Sequence, residues 1–297
     1  MGERDSGAAF GSLGGYELLE LIGRGASGQV YRARDPALGR EVAIKVLDPA
    51  LAAKPSRRQR FLREARLASR LEHPNIARIY AVGRSGNRDF IALELVRGPT
   101  LRERLRAGPL AGAAVIAIGR QLAGALEAAH ALGIIHRDLK PENMREAHDG
   151  SLKILDFGLA RVEEQAGDAI GEISSVQTSW PGALTGTLAY LAPELLDGER
   201  ASDKSDLFSA GVVLYELLSG TNPFRRLSIA HTLSALQRCA PPELRARPEV
   251  PAALAELIHA LLSADPKRRP AARQARLRLE QLEQSDARGT RWLPWRR

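Results

Sequence analysis

A chain of 297 residues with 44% hydrophobic and 26% charged residues carries enough apolar material for one large domain or two lobes, which excludes a disordered or fibrous polypeptide. Its one cysteine, Cys239, excludes an internal disulfide framework and a cysteine-based zinc site and fits a reducing, cytoplasmic compartment. The 43 Lys and Arg against 35 Asp and Glu give +8, but the basic residues are scattered with no specific nucleic-acid signal, no apolar run approaches the roughly 18–20 residues of a membrane span, and the start MGERDSGAAF lacks a signal-peptide core.

Residues 1–15 are Gly/Ser-rich and aperiodic, which predicts a flexible tail. From Tyr16 to about Val46 short strands are expected; Val42, Ile44 and Val46 alternate with Ala43 and Lys45 as in a half-buried strand. Ser56 to Gln59 reads as a capping box opening a helix. On that helix Phe61, Glu64, Ala65, Ala68 and Leu71 recur every three or four residues, so Glu64 falls on the apolar stripe, where an acid needs a partner. Strands follow around 76–82 and 90–96. After Arg97-Gly98-Pro99 the pattern turns helical: a long helix over 113–132 ending at Gly133, a short strand over 151–155, a polar loop over 162–185, a helix over 205–218 that is apolar nearly all round, and helices over 254–262 and 271–282. This predicts an α+β chain with a small strand-rich lobe over about 16–96 and a larger helical lobe over about 97–282. A basic, Trp-containing tail over 283–297 completes it.

Five stretches carry chemistry. Gly23, Gly25 and Gly28 form a GxGxxG followed by a strand, which favours a glycine-rich hairpin closing over phosphates. Lys45 lies in the next strand, and Glu64 faces inward on the next helix; a Lys45–Glu64 pair would hold the ammonium against two phosphates. His136-Arg-Asp138-Leu-Lys140-Pro-Glu-Asn143 is the strongest signal. A tight loop there places a base, Asp138, beside a metal ligand, Asn143, while Lys140 can neutralise charge on a transferred phosphoryl group. Asp156-Phe157-Gly158 follows on a turn after a strand, and Ala192-Pro193-Glu194 closes the long polar loop.

This ordered set resembles the protein kinase family, in particular the bacterial Ser/Thr kinases of eukaryotic type, over roughly residues 16–282. The resemblance implies a bilobal protein kinase fold and transfer of the γ-phosphoryl of ATP, with Mg²⁺, to Ser or Thr of protein substrates. It implies that Lys45 contacts the α- and β-phosphates, Asp138 accepts or orients the substrate proton, and Asn143 and Asp156 hold Mg²⁺. Gly23, Gly25 and Gly28 cover the phosphates. Leu93 matches the gatekeeper, Glu94 and Val96 offer backbone hydrogen bonds to adenine, and Val30 and Ala43 pack on its upper face. Asp206 would brace the catalytic loop, Glu194 would pair with Arg269, Thr187 would be a structural substrate-site residue, and Ala68, Ile79, His136 and Phe157 would form a column linking the lobes. Arg137 beside Asp138 resembles kinases whose loop is ordered by a phosphate, so autophosphorylation at Thr178, Ser179 or Thr185 is expected, with self-association as one route to it.

Two departures stand out. Met144-Arg145-Glu146 replaces residues that are usually apolar, putting Arg145 at the floor under adenine, and this predicts weakened ATP binding. The 38 residues from Asp156 to Glu194 exceed the spacing in many kinases. A pseudokinase scaffold and a small-molecule phosphotransferase of related fold remain as alternatives, and the tail with Trp292 and Trp295 could dock on the large lobe or touch a membrane surface or partner.

Overall fold

The computed structural model describes residues 11–25, 28–49, 55–157, 187–244 and 250–287. Residues 1–10 and 288–297 of the predicted tails, the loop over 162–185 with Thr178, Ser179 and Thr185, and Gly158 lie outside the described residues. The rest of the tails departs from the expectation: Ser12–Leu13 form a strand with Leu13 buried, and the last helix runs on through 283–287.

Six antiparallel strands make one sheet: β1 (Ser12–Leu13), β2 (Tyr16–Gly25), β3 (Gly28–Asp35), β4 (Arg40–Leu47), β5 (Ile79–Ser85) and β6 (Arg88–Glu94), in the order β1-β2-β3-β4-β6-β5. Strand β4 is central, so its two faces are both covered. Val42, Ile44 and Val46 pack with Leu18, Ala33 and Phe90 on one side, while Ala43 and Leu47 pack with Phe61, Ala65 and Leu93 on the other. The half-buried strand expected from its alternation is therefore buried on both faces. Phe61 and Ala65 come from α1 (Pro55–Ala68). That helix begins at Pro55, a residue suited to a first turn. Ser56 thus sits inside the helix and cannot form the predicted capping box.

The second region is helical: α2 (Leu101–Leu105), α3 (Gly112–Ala131), α4 (Asp203–Ser219), α5 (Ile229–Arg238), α6 (Ala252–Leu261) and α7 (Ala272–Ala287), with a hairpin of β7 (Met144–Glu146) and β8 (Leu152–Ile154). Helix α4 is buried on nearly all sides, as a helix apolar nearly all round requires, and α3, α6 and α7 pack around it. Helix α3 closes on a 6→1 bond from Ile134 N to Ala129 O, 3.0 Å, across Gly133. Among the described residues, no helix is long and apolar enough to cross a membrane.

Candidate active site

The loop between α3 and β7 is held from below. Asp206, in the first turn of α4 and 1% exposed, accepts from His136 N at 2.8 Å, Arg137 N at 2.9 Å and His130 Nε2 at 3.0 Å. These bonds fix Arg137 at φ +69°, a conformation that costs a non-glycine residue about 1–3 kcal/mol. His136 accepts at Nδ1 from Asp138 N, 3.2 Å, so its Nε2 is the protonated nitrogen and donates to Leu155 O at 2.9 Å. The same ring meets Phe157 edge-on with centroids 4.6 Å apart, the lower part of the predicted column.

Asp138 leaves this brace with its carboxylate engaged by two donors. Lys140 Nζ lies 2.8 Å from Oδ2 and 3.0 Å from Oδ1, and Asn143 Nδ2 donates to Oδ2 at 2.9 Å and to Asp138 O at 2.8 Å. Lys140 also donates to Thr187 Oγ1 at 3.2 Å. Asn143 closes a one-turn 3₁₀ helix, Pro141–Asn143, and its carbonyl accepts from Leu155 N at 2.8 Å, which sets it beside Asp156. With Nδ2 committed to Asp138, Asn143 keeps Oδ1 as a hard oxygen donor.

Lys45 and Asp156 meet at 2.9 Å. Burial is the largest influence and pushes the Asp156 carboxyl up, but the charge and hydrogen bond of Lys45, with His136 and Lys140 behind it, together hold the group below the ordinary carboxylate range. The predicted Lys45–Glu64 pair is not formed. Glu64 instead takes Arg137 Nη1 at 2.8 Å. The exchange has a simple cause: a buried ammonium needs a carboxylate, the Asp156 turn at φ +59° delivers one, and the long guanidinium of Arg137 reaches Glu64.

Above these charges, Val30, Ala43 and Leu93 share one apolar cluster, with Ala43 opposite Leu93 and Val30 opposite Lys45 in the sheet. Gly23 and Gly25 belong to β2 and Gly28 opens β3, so the three glycines flank the tip of the hairpin. Gly28 has φ +140°, and a Cβ there would lie 1.9 Å from Val46 O. Glu94 ends β6 and Val96 is half-buried beyond it. Arg145 does not present a free guanidinium: its Nη1 donates to Gly98 O at 2.6 Å.

Two structural pairings follow the sequence reading. Glu194 takes Arg269 in two bonds of 2.6 and 2.7 Å, the guanidinium fully buried, and Asp206 braces the loop as described. Other groups were not legible. Arg102 of α2 donates to Glu142 Oε1 at 2.7 Å and Glu216 Oε1 at 2.9 Å and also bonds the Tyr190 hydroxyl, which donates to Glu216. Burial and the Glu216 charge raise the Tyr190 pKa. Nothing in the spacing of these four residues announces their meeting; the inward position of Glu216 on the apolar helix was the one available signal. Among the described residues, no three His, Cys, Asp or Glu side chains form a complete metal cage.

Residues 16–278 match the family described as protein kinase domain. The chain is 40% identical over 263 residues to serine/threonine-protein kinase pkn2 of Myxococcus xanthus, covering 86% of this chain and 31% of that protein. It is 38% identical over 255 residues to serine/threonine-protein kinase PrkC of Bacillus subtilis, covering 85% and 38%. It is 40% identical over 220 residues to serine/threonine-protein kinase PknL of Mycobacterium tuberculosis, covering 73% and 53%. The chain thus spans about a third to a half of the length of these relatives.

Proposed function

The chain belongs to the protein kinase family, in its bacterial branch of eukaryotic-type Ser/Thr kinases, and on that footing we propose that it transfers the γ-phosphoryl group of ATP to serine or threonine side chains of proteins. The observation that carries this reading is the Asp138 carboxylate, fixed by Lys140 and Asn143 on a loop braced by Asp206. Such a carboxylate is an acceptor for a hydroxyl proton, and phosphoryl transfer asks the protein mainly for positioning and charge neutralisation.

Asp138 orients the incoming hydroxyl and takes its proton as the oxygen bonds to the γ-phosphorus and the β–γ bridging bond breaks toward ADP. Lys140, within reach of both Asp138 and Thr187, lies where negative charge spreads on the transferred group. Lys45 holds the nucleotide phosphates, and Gly23, Gly25 and Gly28 cover them. Ala43, Val30 and Leu93 make an apolar wall for the base, with the main chain at Glu94 and Val96 at its edge. Asn143 and Asp156 supply oxygen donors of the kind Mg²⁺ takes alongside substrate phosphates. When bound, Mg²⁺ neutralises phosphate charge. Phosphorylation of Thr178, Ser179 or Thr185 by a second copy of the chain would offer Arg137 an anionic partner in addition to Glu64.

The test is incubation of the purified chain with labelled ATP, Mg²⁺ and a generic protein substrate. Phosphoserine or phosphothreonine lost in Asp138→Asn supports the reading; ATP binding without transfer in the parent would make it a scaffold.

A further inference from the structure

The connection between the sheet and the helical region runs from Glu94 to Thr100, and two side chains of the β7–β8 hairpin grip it. In that hairpin Arg145 and Lys153 are direct cross-strand partners. Like charges directly opposite each other are unfavourable in a sheet, so a pair of cations here calls for a reason. Each finds one on the connection. Lys153 Nζ lies 2.8 and 3.0 Å from the two carboxylate oxygens of Glu94, at the end of β6. Arg145 Nη1 donates to Gly98 O at 2.6 Å, four residues on.

The connection is pinned from the sheet side as well. Glu94 Oε2 also accepts from Arg78 N at 3.1 Å, and Arg97 pairs with Glu41 of β4 at 2.7 Å. On the helical side Glu146 N donates to Pro99 O at 3.0 Å. Gly98 sits at φ +120°, and a Cβ there would lie 2.0 Å from Glu146 O; the two backbones touch with no room for a side chain between them.

We propose that Arg145 and Lys153 act together as a clamp that positions the main chain of residues 94–98, and so set affinity for the base of the nucleotide rather than for its phosphates. This rests on the kinase reading above, which places adenine against that main chain. It also changes what Arg145 does. The sequence alone puts Arg145 at the floor under the base; the structure engages its guanidinium with Gly98 O and leaves the aliphatic stem. Both are positioning residues, acting through the segment they hold.

Calorimetric titration of the full chain with the nonhydrolysable analogue AMP-PNP and Mg²⁺, and separately with adenosine, tests this. Lys153→Met, Glu94→Gln and Arg145→Leu are each expected to raise Kd about three- to tenfold, by the same factor for both ligands, at a temperature where every variant is folded. The Glu94→Gln, Lys153→Met double variant should lose no more than the larger single loss, since both remove one ion pair. Arg145→Lys, which keeps a donor for Gly98 O, should recover part of the loss. Parent-like Kd values in Lys153→Met and Arg145→Leu, losses that multiply in the double variant, or a loss for AMP-PNP without one for adenosine would overturn the clamp while leaving the kinase reading intact. A parent chain that binds neither ligand would overturn the kinase reading and the clamp with it.

Discussion

Glu64 and Arg137 are joined by an ion pair of 2.8 Å, and Lys45 is joined to Asp156 at 2.9 Å. The acid of α1 therefore serves the catalytic loop, and the lysine of β4 serves the turn after β8. Arg137 takes Oε1 of Glu64 and so competes with Lys45 for that carboxylate. Arg137→Gln removes the competitor. A half-buried pair of this kind is worth about 1 kcal/mol or less, so ATP affinity should rise by up to about fivefold. Titration with a nonhydrolysable analogue measures it, and an unchanged Kd would show that no exchange of partners accompanies binding.

Asp138→Asn keeps the size of the side chain and removes the proton acceptor. Transfer should fall by about 10²–10³ or more, while nucleotide affinity changes little because Asp138 faces the hydroxyl. Initial rates at saturating ATP, with binding measured in parallel, give both numbers. A variant as fast as the parent would sink the assignment of Asp138.

Lys45→Met should cut activity severely and also alter acid stability. The Asp156 carboxyl is depressed in the folded state, by Lys45 against the pull of burial. Its contribution is therefore complete above the ordinary carboxylate value of 3.8 and is lost as pH falls through the lower, folded value. Melting temperatures of parent and variant should differ most above about pH 4 and converge below it. A gap that widens on acidification would contradict the pairing.

Arg269→Met leaves the buried Glu194 carboxylate with no cation. Removing one partner from a buried pair costs about 3–5 kcal/mol, and Arg269 also donates to Ser263 O, Lys204 O and Ala264 O. Denaturant unfolding should show the loss directly. Replacing Glu194 by Gln, which keeps an acceptor, should cost less.

Cys239 donates to Leu262 O at 3.3 Å, and burial pushes its thiol pKa up. Since the thiolate is the reactive form, alkylation by iodoacetamide at pH 8 should run well below the rate of a free cysteine and rise with pH. A rate matching the free amino acid would mean that the thiol is not held in this position.

Most of the fold was legible because its elements advertise themselves locally. The nearly all-round apolar character of α4 pointed to a buried helix, and Gly133 marked the end of α3. What the sequence hid depended on long-range company. Strand β4 alternates like a half-exposed strand, yet its place between β3 and β6, with α1 across one face, buries both sides. Helix α5 escaped notice because its apolar face is short, with Thr232, Ala235 and Leu236 its buried residues; the Ser228 cap was its one clear signal. At the candidate site, residue types and spacing singled out Lys45, Glu64, Asp138 and Asp156. Which cation takes which anion is a matter of side-chain reach, and reach is not written in spacing.

The third glycine of the hairpin motif has a further implication. Gly28 is demanded by the carbonyl of Val46 pressing against it from the neighbouring strand, whereas a side chain at Gly25 would meet nothing within 4 Å among the described residues. On the kinase reading proposed above, the two glycines therefore answer to different constraints, one to the sheet and one to the phosphates that the hairpin is proposed to cover. A descendant of this chain that had abandoned nucleotides would be free to lose Gly25 and still be obliged to keep Gly28. In judging whether such a relative is an enzyme, Gly25 is the residue to inspect, and the survival of Gly28 says only that the strands still pair.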